Sequence, residues 1–169
     1  MVEPRRITFD RPDRFVPGST GEPGARAFFV QIRDGSMLAT LEVGETLLRG
    51  LARHLTTVLR EIEPPAAGEH EVEVDIAPLD LPLFPLFDVG ATSVAWDRHA
   101  DVVRVELVES ASEPVVVEVT LPLRMARRFI ARAGLVTQTA APACPFCAQT
   151  VSAAGHLCPR RDGLRTLTR

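Results

Sequence analysis

Residues 27–62 read AFFVQIRDGSMLATLEVGETLLRGLARHLTTVLREI and hold two strands, a turn and a helix in one run. Phe28, Val30 and Ile32 recur at every second position, so Ala27–Arg33 reads as a strand with one apolar face. Asp34-Gly35 is a hairpin signal, because glycine tolerates the positive φ that a type I′ turn requires. Met37, Ala39, Leu41 and Val43 carry the return strand. From Gly44 to Ile62 the period changes. Leu47, Leu48, Leu51, Leu55, Val58 and Ile62 fall on one side of a helix, and Glu45 stands four before Arg49 in the favourable orientation. Pro64-Pro65 ends it.

Outward from this run the signals weaken. Glu71–Ile76 alternates acid and aliphatic, which predicts a strand with Val72, Val74 and Ile76 toward a core. Residues 77–86 hold Pro78, Pro82 and Pro85 and read as an apolar loop over the surface. Val89–Asp97, Val102–Val108 and Val115–Leu121 form a predicted meander, with turns near Arg98–Asp101 and Ser110–Pro114. Pro122–Ala133 reads as a second helix whose apolar face is Met125, Ala126, Phe129, Ile130 and Ala133, with Gly134 at its end. Upstream, residues 1–25 read as irregular apart from a short strand at Arg6–Phe9. Trp96 is expected in the core. An echo at an offset of 78 maps Leu38, Leu41, Val43, Leu47, Leu51 and Leu55 onto Val116, Val119, Leu121, Met125, Phe129 and Ala133. The expectation is an α+β fold with a mainly antiparallel sheet and two main helices. Residues 1–134 form the domain, readable as two hairpin-helix halves. Residues 135–143 are a linker, and 144–169 are a small zinc-ribbon-like knuckle with a basic tail.

The 169 residues include 46% hydrophobic ones, enough for a core of ordinary size. No apolar run approaches the roughly 20 residues of a membrane helix. The start, MVEPRRITFDRP, has no apolar stretch after its arginines, so a cytoplasmic location is expected and no membrane partner. Lys, Tyr and Asn are absent, and all 19 basic residues are Arg. That excludes a Walker-A lysine, a Schiff-base lysine and a Cys-His-Asn triad. No G-x-S-x-G elbow or H-E-x-x-H helix occurs. A binding or scaffold protein is expected before an enzyme.

The cysteines fall in one string, CPFCAQTVSAAGHLCP, starting at Cys144. Cys144, Cys147, His156 and Cys158 supply the four tetrahedral ligands of a structural zinc, with no position left open for water or substrate. A redox C-x-x-C or an iron–sulfur site are the alternatives. Ala148 stands where such knuckles carry Gly, and the His-x-Cys spacing is one residue short of the common pair.

The strings DRFVPGSTGEPGARAFFVQ at Asp13–Gln31, VAWD at Val94–Asp97, and CPFC with GHLCPR within Cys144–Arg160 resemble a bacterial family, the domain of unknown function thirty-ninety. The resemblance spans nearly the whole chain. It implies a bacterial origin and carries over no catalytic residues.

Two further surfaces are candidates. The loop GSTGEPG at Gly18–Gly24, flanked by Arg14 and Arg26, could cradle an anion and would be the site of any enzyme activity. The second is a charge asymmetry. Residues 1–120 carry 11 Arg against 21 acidic residues, whereas 121–169 carry 8 Arg against Asp162 alone. Arg124, Arg128 and Arg132 form a row at helical spacing, with Arg127 beside them and Arg160 and Arg161 after the knuckle. Two expectations compete for these arginines: neutralisation by the acidic N-terminal region, or an anionic partner. That partner would be an acidic protein surface, or nucleic acid bound weakly and without sequence preference. The acidic face Glu71, Glu73 and Asp75 reads as a solvated strand face.

Overall fold

The computed structural model describes residues 4–22, 25–62 and 72–138, together with Cys147 and Cys158. Two strands begin the chain, β1 (Arg6–Phe9) and β2 (Arg14–Thr20). The predicted hairpin follows as β3 (Ala27–Asp34) and β4 (Met37–Val43), and then helix α1 (Glu45–Ile62). The second half runs β5 (Asp88–Asp97), β6 (Val102–Glu109), β7 (Val116–Pro122) and α2 (Leu123–Gln138).

All seven strands share one sheet in the order β1-β7-β6-β5-β4-β3-β2. The sheet is mixed, which corrects the mainly antiparallel expectation. Four of its junctions are antiparallel, but β1 runs parallel to β7 and β4 parallel to β5. The β4–β5 junction is parallel because α1 and the chain after it carry the backbone back before β5 begins. Two three-stranded meanders, β2-β3-β4 and β5-β6-β7, therefore lie side by side in the same direction, each followed by a helix.

α1 buries Leu48, Leu51, Leu55 and Leu59, a stripe slightly rotated from the predicted one. Each such leucine contributes about 1.5–3 kcal/mol. The Glu45–Arg49 pair forms at 2.7 Å. Arg49 also donates to the carbonyl of Thr137 at 2.9 Å, so a cation on α1 satisfies an end carbonyl of α2. α2 does not stop at Gly134 but continues to Gln138, so 135–138 are helix and not linker. A glycine costs a helix only about 1 kcal/mol.

α2 touches β2 at one end of the sheet and β6 and β7 near the other. Four strand spacings separate β2 from β6, about 19 Å in a flat sheet. A 16-residue helix is about 24 Å long, so α2 can span that distance along its axis. The core is the side the helices cover, where Val30, Ile32, Leu41, Val105, Leu107, Val117 and Val119 are fully buried. The ring of Phe15 on β2 stacks on Phe129 of α2 at 4.6 Å.

Smaller corrections follow from local geometry. The β3–β4 turn is centred on Gly35-Ser36, one residue later than Asp34-Gly35, with Asp34 paired to Met37. Gly35 takes φ +56 and Ser36 has no positive φ, so glycine holds the first central position, as in a type II′ turn. Trp96 is half-buried, with the Arg98 guanidinium 5.2 Å above its ring, and is not core. Residues 72–76 join no strand. Among the described residues, no helix is long and apolar enough to cross a membrane.

Candidate functional site

β2 is an edge strand, and sequence reading missed it because Pro17 and Gly18 look like loop punctuation. On an edge, proline is tolerated, since no neighbour asks for its missing N–H. Arg14, Val16 and Gly18 lie on the face of the sheet away from the core, where they meet Arg33, Gln31 and Phe29 of β3. Residues 75–86 cross this face as a strap. Three buried polar side chains hold it there.

Arg14 donates to the backbone carbonyls of Ala77 at 2.8 Å and Pro78 at 3.0 Å. Gln31, 1% exposed, donates to the carbonyl of Asp80 at 3.0 Å and accepts from its amide at 2.8 Å. Thr40 accepts a third bond from Gln31. Gly18 makes room for the strap, because a Cβ there would lie 2.6 Å from the Leu79 side chain.

The strap begins at Asp75, and there two arginines converge. Arg14 grips the Asp75 carboxylate with both Nε, at 2.7 Å, and Nη2, at 3.1 Å. The fork geometry suits a carboxylate. Arg132 comes from α2 on the other side of the edge strand. Its Nε donates to the carbonyl of Pro17 at 2.7 Å, and its Nη1 to the carbonyl and the carboxylate of Asp75. Ala77 N–H completes the shell at 2.9 Å. The Arg14 hydrogen bond is the largest influence on Asp75 and holds its carboxyl below the usual range, against the opposing effect of burial. Burial lowers the pKa of Arg132; Asp75 offsets this in part, and the charge of Arg14 adds to it.

Beside this triad lies a cleft of about 510 Å³ between the strap, the end of β2 and the last turns of α2. Gly18, Ser19 and Thr20 form its β2 wall, and Arg26, Asp75 and Arg132 bring charge to it. The remaining wall is apolar, with Leu79, Leu81 and Leu135 among it.

The predicted sites are redistributed by this geometry. Gly18–Thr20 are strand and not an anion-cradling loop, though they do border the cleft; Pro23 and Gly24 lie outside the described residues. Asp75 belongs to no solvated strand face. Glu71 is outside the described residues, and Glu73 pairs with Arg128 at 2.8 Å. The arginine row is split: Arg132 is buried in the triad, while Arg124 and Arg128 are exposed and Arg127 is half-buried. Arg160 and Arg161 lie outside the described residues. Of the four predicted zinc ligands, Cys147 is half-buried and Cys158 buried; Cys144 and His156 lie outside the described residues. Spacing had no means of finding the triad, whose members stand 61 and 57 residues apart.

Comparison with curated proteins and with solved structures gave no match. A family model does match, over residues 7–158, a span that includes both meanders, both helices, the strap and the cysteine string as far as Cys158. The chain therefore belongs to the family described as protein of unknown function (DUF3090).

Proposed function

We propose that this chain is a ligand-binding protein and not a catalyst, with its site in the cleft between the strap and α2. The observation that carries this reading is the fixed guanidinium of Arg132 beside an apolar wall, the mix of one oriented polar group and much apolar surface that ligand pockets share. Asp75 is the carboxylate of the cleft, and it is a poor general base. Its lone pairs are taken by two guanidinium groups and an amide, and its pKa is depressed, away from the near-neutral value that proton transfer favours. The test is a small-fragment screen on the full chain by amide NMR. Bound fragments should shift Ser19, Thr20 and Val136 and be recovered unchanged after long incubation. Chemical conversion of a bound fragment, or shifts scattered away from the cleft, would overturn the reading.

The proposal includes one structural zinc held by Cys144, Cys147, His156 and Cys158. The spacing of these residue types supports it. Protein purified without added metal should carry about one zinc per chain, and below about 0.2 the idea fails. A second reading keeps the basic face as a weak polyanion site. Arg124 is exposed, and Arg128 is bound to a Glu73 that is itself 86% exposed, so the pair is well screened. Polyanion binding at low salt, lost in an Arg124→Gln/Arg128→Gln double variant, would support it; no binding by the unmodified chain would end it.

A further inference from the structure

We propose that the cleft takes a small monocarboxylate with an apolar tail, its head on Arg132 and its tail along the strap; this rests on the ligand-binding reading above.

Arg132 supplies the first reason. Its side chain is only 9% exposed, and its partners fix the plane of the guanidinium. Nε and Nη1 are committed to Pro17 and Asp75. Nη2 makes no hydrogen bond among the described residues, which leaves its two N–H groups as the edge offered to the cleft that Arg132 lines. A donor pair oriented before binding loses little freedom when an acceptor arrives.

Charge supplies the second. Among the described residues, the acidic partners of Arg14, Arg33 and Arg132 around the strap are Asp75 and Asp80; Arg26 lies at the far wall of the cleft and is not counted with them. The cluster has one positive charge in excess, and Asp75 has little acceptor capacity left for Nη2. An under-compensated, largely buried cation is unfavourable, and a monoanion cancels the surplus where a dianion would overshoot.

The walls supply the third. Val74, Ile76, Leu79, Leu81, Leu83 and Leu135 line the cleft. Ile76, Leu81 and Leu135 are 86%, 79% and 50% exposed, an uncommon concentration of bare aliphatic surface. Hydrocarbon placed against them would leave water. The volume lies in the range of small-ligand pockets, roughly 300–1,000 Å³, with room for a chain of about eight carbons.

The experiment is titration of the full chain, zinc retained, with octanoate and with octan-1-ol, followed by amide NMR and calorimetry. Octanoate should saturate and shift the Ser19, Thr20 and Val136 amides. Octan-1-ol should bind about tenfold more weakly or worse, the equivalent of about 1.4 kcal/mol. Arg132→Gln should erase that preference. Because Arg132 also braces the fold, Leu135→Glu is the second variant. It places a like charge at the exposed mouth, leaves the triad intact, and should weaken octanoate about tenfold more than it weakens octan-1-ol, which loses only the apolar contact. Equal affinity for the two probes, or an unchanged octanoate affinity in Leu135→Glu, overturns the carboxylate proposal while leaving the cleft as a ligand site. If neither probe shifts the cleft amides, both the proposal and the reading beneath it fall.

Discussion

The carboxylate of Asp75 accepts from two guanidinium groups and one amide, and its own carbonyl takes a further N–H from Arg132. Removing it strands Arg14 and Arg132, whose side chains are each 9% exposed. Asp75→Asn should therefore destabilise the fold by about 2–4 kcal/mol, near the lower end for a broken buried pair, because Asp75 itself is about one quarter exposed. The sign of the pH dependence follows from the depressed pKa. A lowered folded pKa contributes stability above the unfolded carboxyl value of about 3.9, and that contribution is lost as pH falls through the folded value. Urea melts should show the gap between wild type and Asp75→Asn constant from about pH 5 to 8, then closing below about pH 4. A gap that persists undiminished at about pH 2 would mean the carboxylate charge is not what holds the strap. Glu45→Gln is the contrast. Its pair with Arg49 is exposed on both sides and should move the same midpoint by no more than about 0.5 kcal/mol.

At the scale of elements, α1 and α2 differ in what they can lose. Leu51 and Leu55 of α1 are fully buried, and either one cut to Ala should cost about 2–5 kcal/mol. Gly134 of α2 lies inside a helix, and a Cβ added there would meet nothing within 4 Å, so Gly134→Ala should raise stability by about 0.5–1 kcal/mol. Gly18→Ala acts on the strap instead. The new methyl group would lie 2.6–2.8 Å from Cγ and both Cδ atoms of Leu79, so the whole side chain and the strap with it must shift, while the core face of β2 is untouched and global stability should change little. The amides of Ala77 and Asp80, bonded to Asp75 and Gln31, should exchange faster with solvent. These elements were not equally legible. Both helices and the β3–β4 hairpin showed in the sequence because their apolar residues repeat at 3.6 or 2 along unbroken runs. β2 did not, since its edge position removes the rules that would have kept Pro17 out. Residues 77–86 do cross the surface as the apolar loop the sequence predicts, but the segment 72–76 leading into them misled for the opposite reason. It alternates like a strand, but its alternation sends Asp75 to two arginines and Ile76 to solvent, 86% exposed.

For the whole molecule, the order of the strands was the least legible property, because it depends on which distant edges meet. The parallel β1–β7 junction shows why: it joins residues 6–9 to residues 116–119, and neither segment names the other in its pattern. Its role can be tested directly. β7 carries Val117 and Val119 on the core side, both fully buried, and β1 is its outer neighbour. β1 is fastened by the ladder from Arg6↔Val116 to Phe9↔Val119 and by the Val116 N–H to the Arg5 carbonyl at 2.9 Å. Phe9, 2% exposed, completes the core at that end. Arg6 also reaches Glu106 at 2.8 Å and Glu118 at 3.2 Å, but it stands in solvent, where such pairs contribute little. Deleting residues 1–10 would remove a buried phenylalanine and leave the longer β7 as a bare edge, a template for pairing with another chain. The shortened protein should be less stable and should associate as its concentration rises, visible by light scattering. Arg6→Ala, which keeps the strand and loses only the ion pairs, should stay as the full chain is. If the shortened protein keeps both the stability and the association state of the full chain, β1 does not protect the β7 edge, and its ladder contributes nothing to the stability of the sheet.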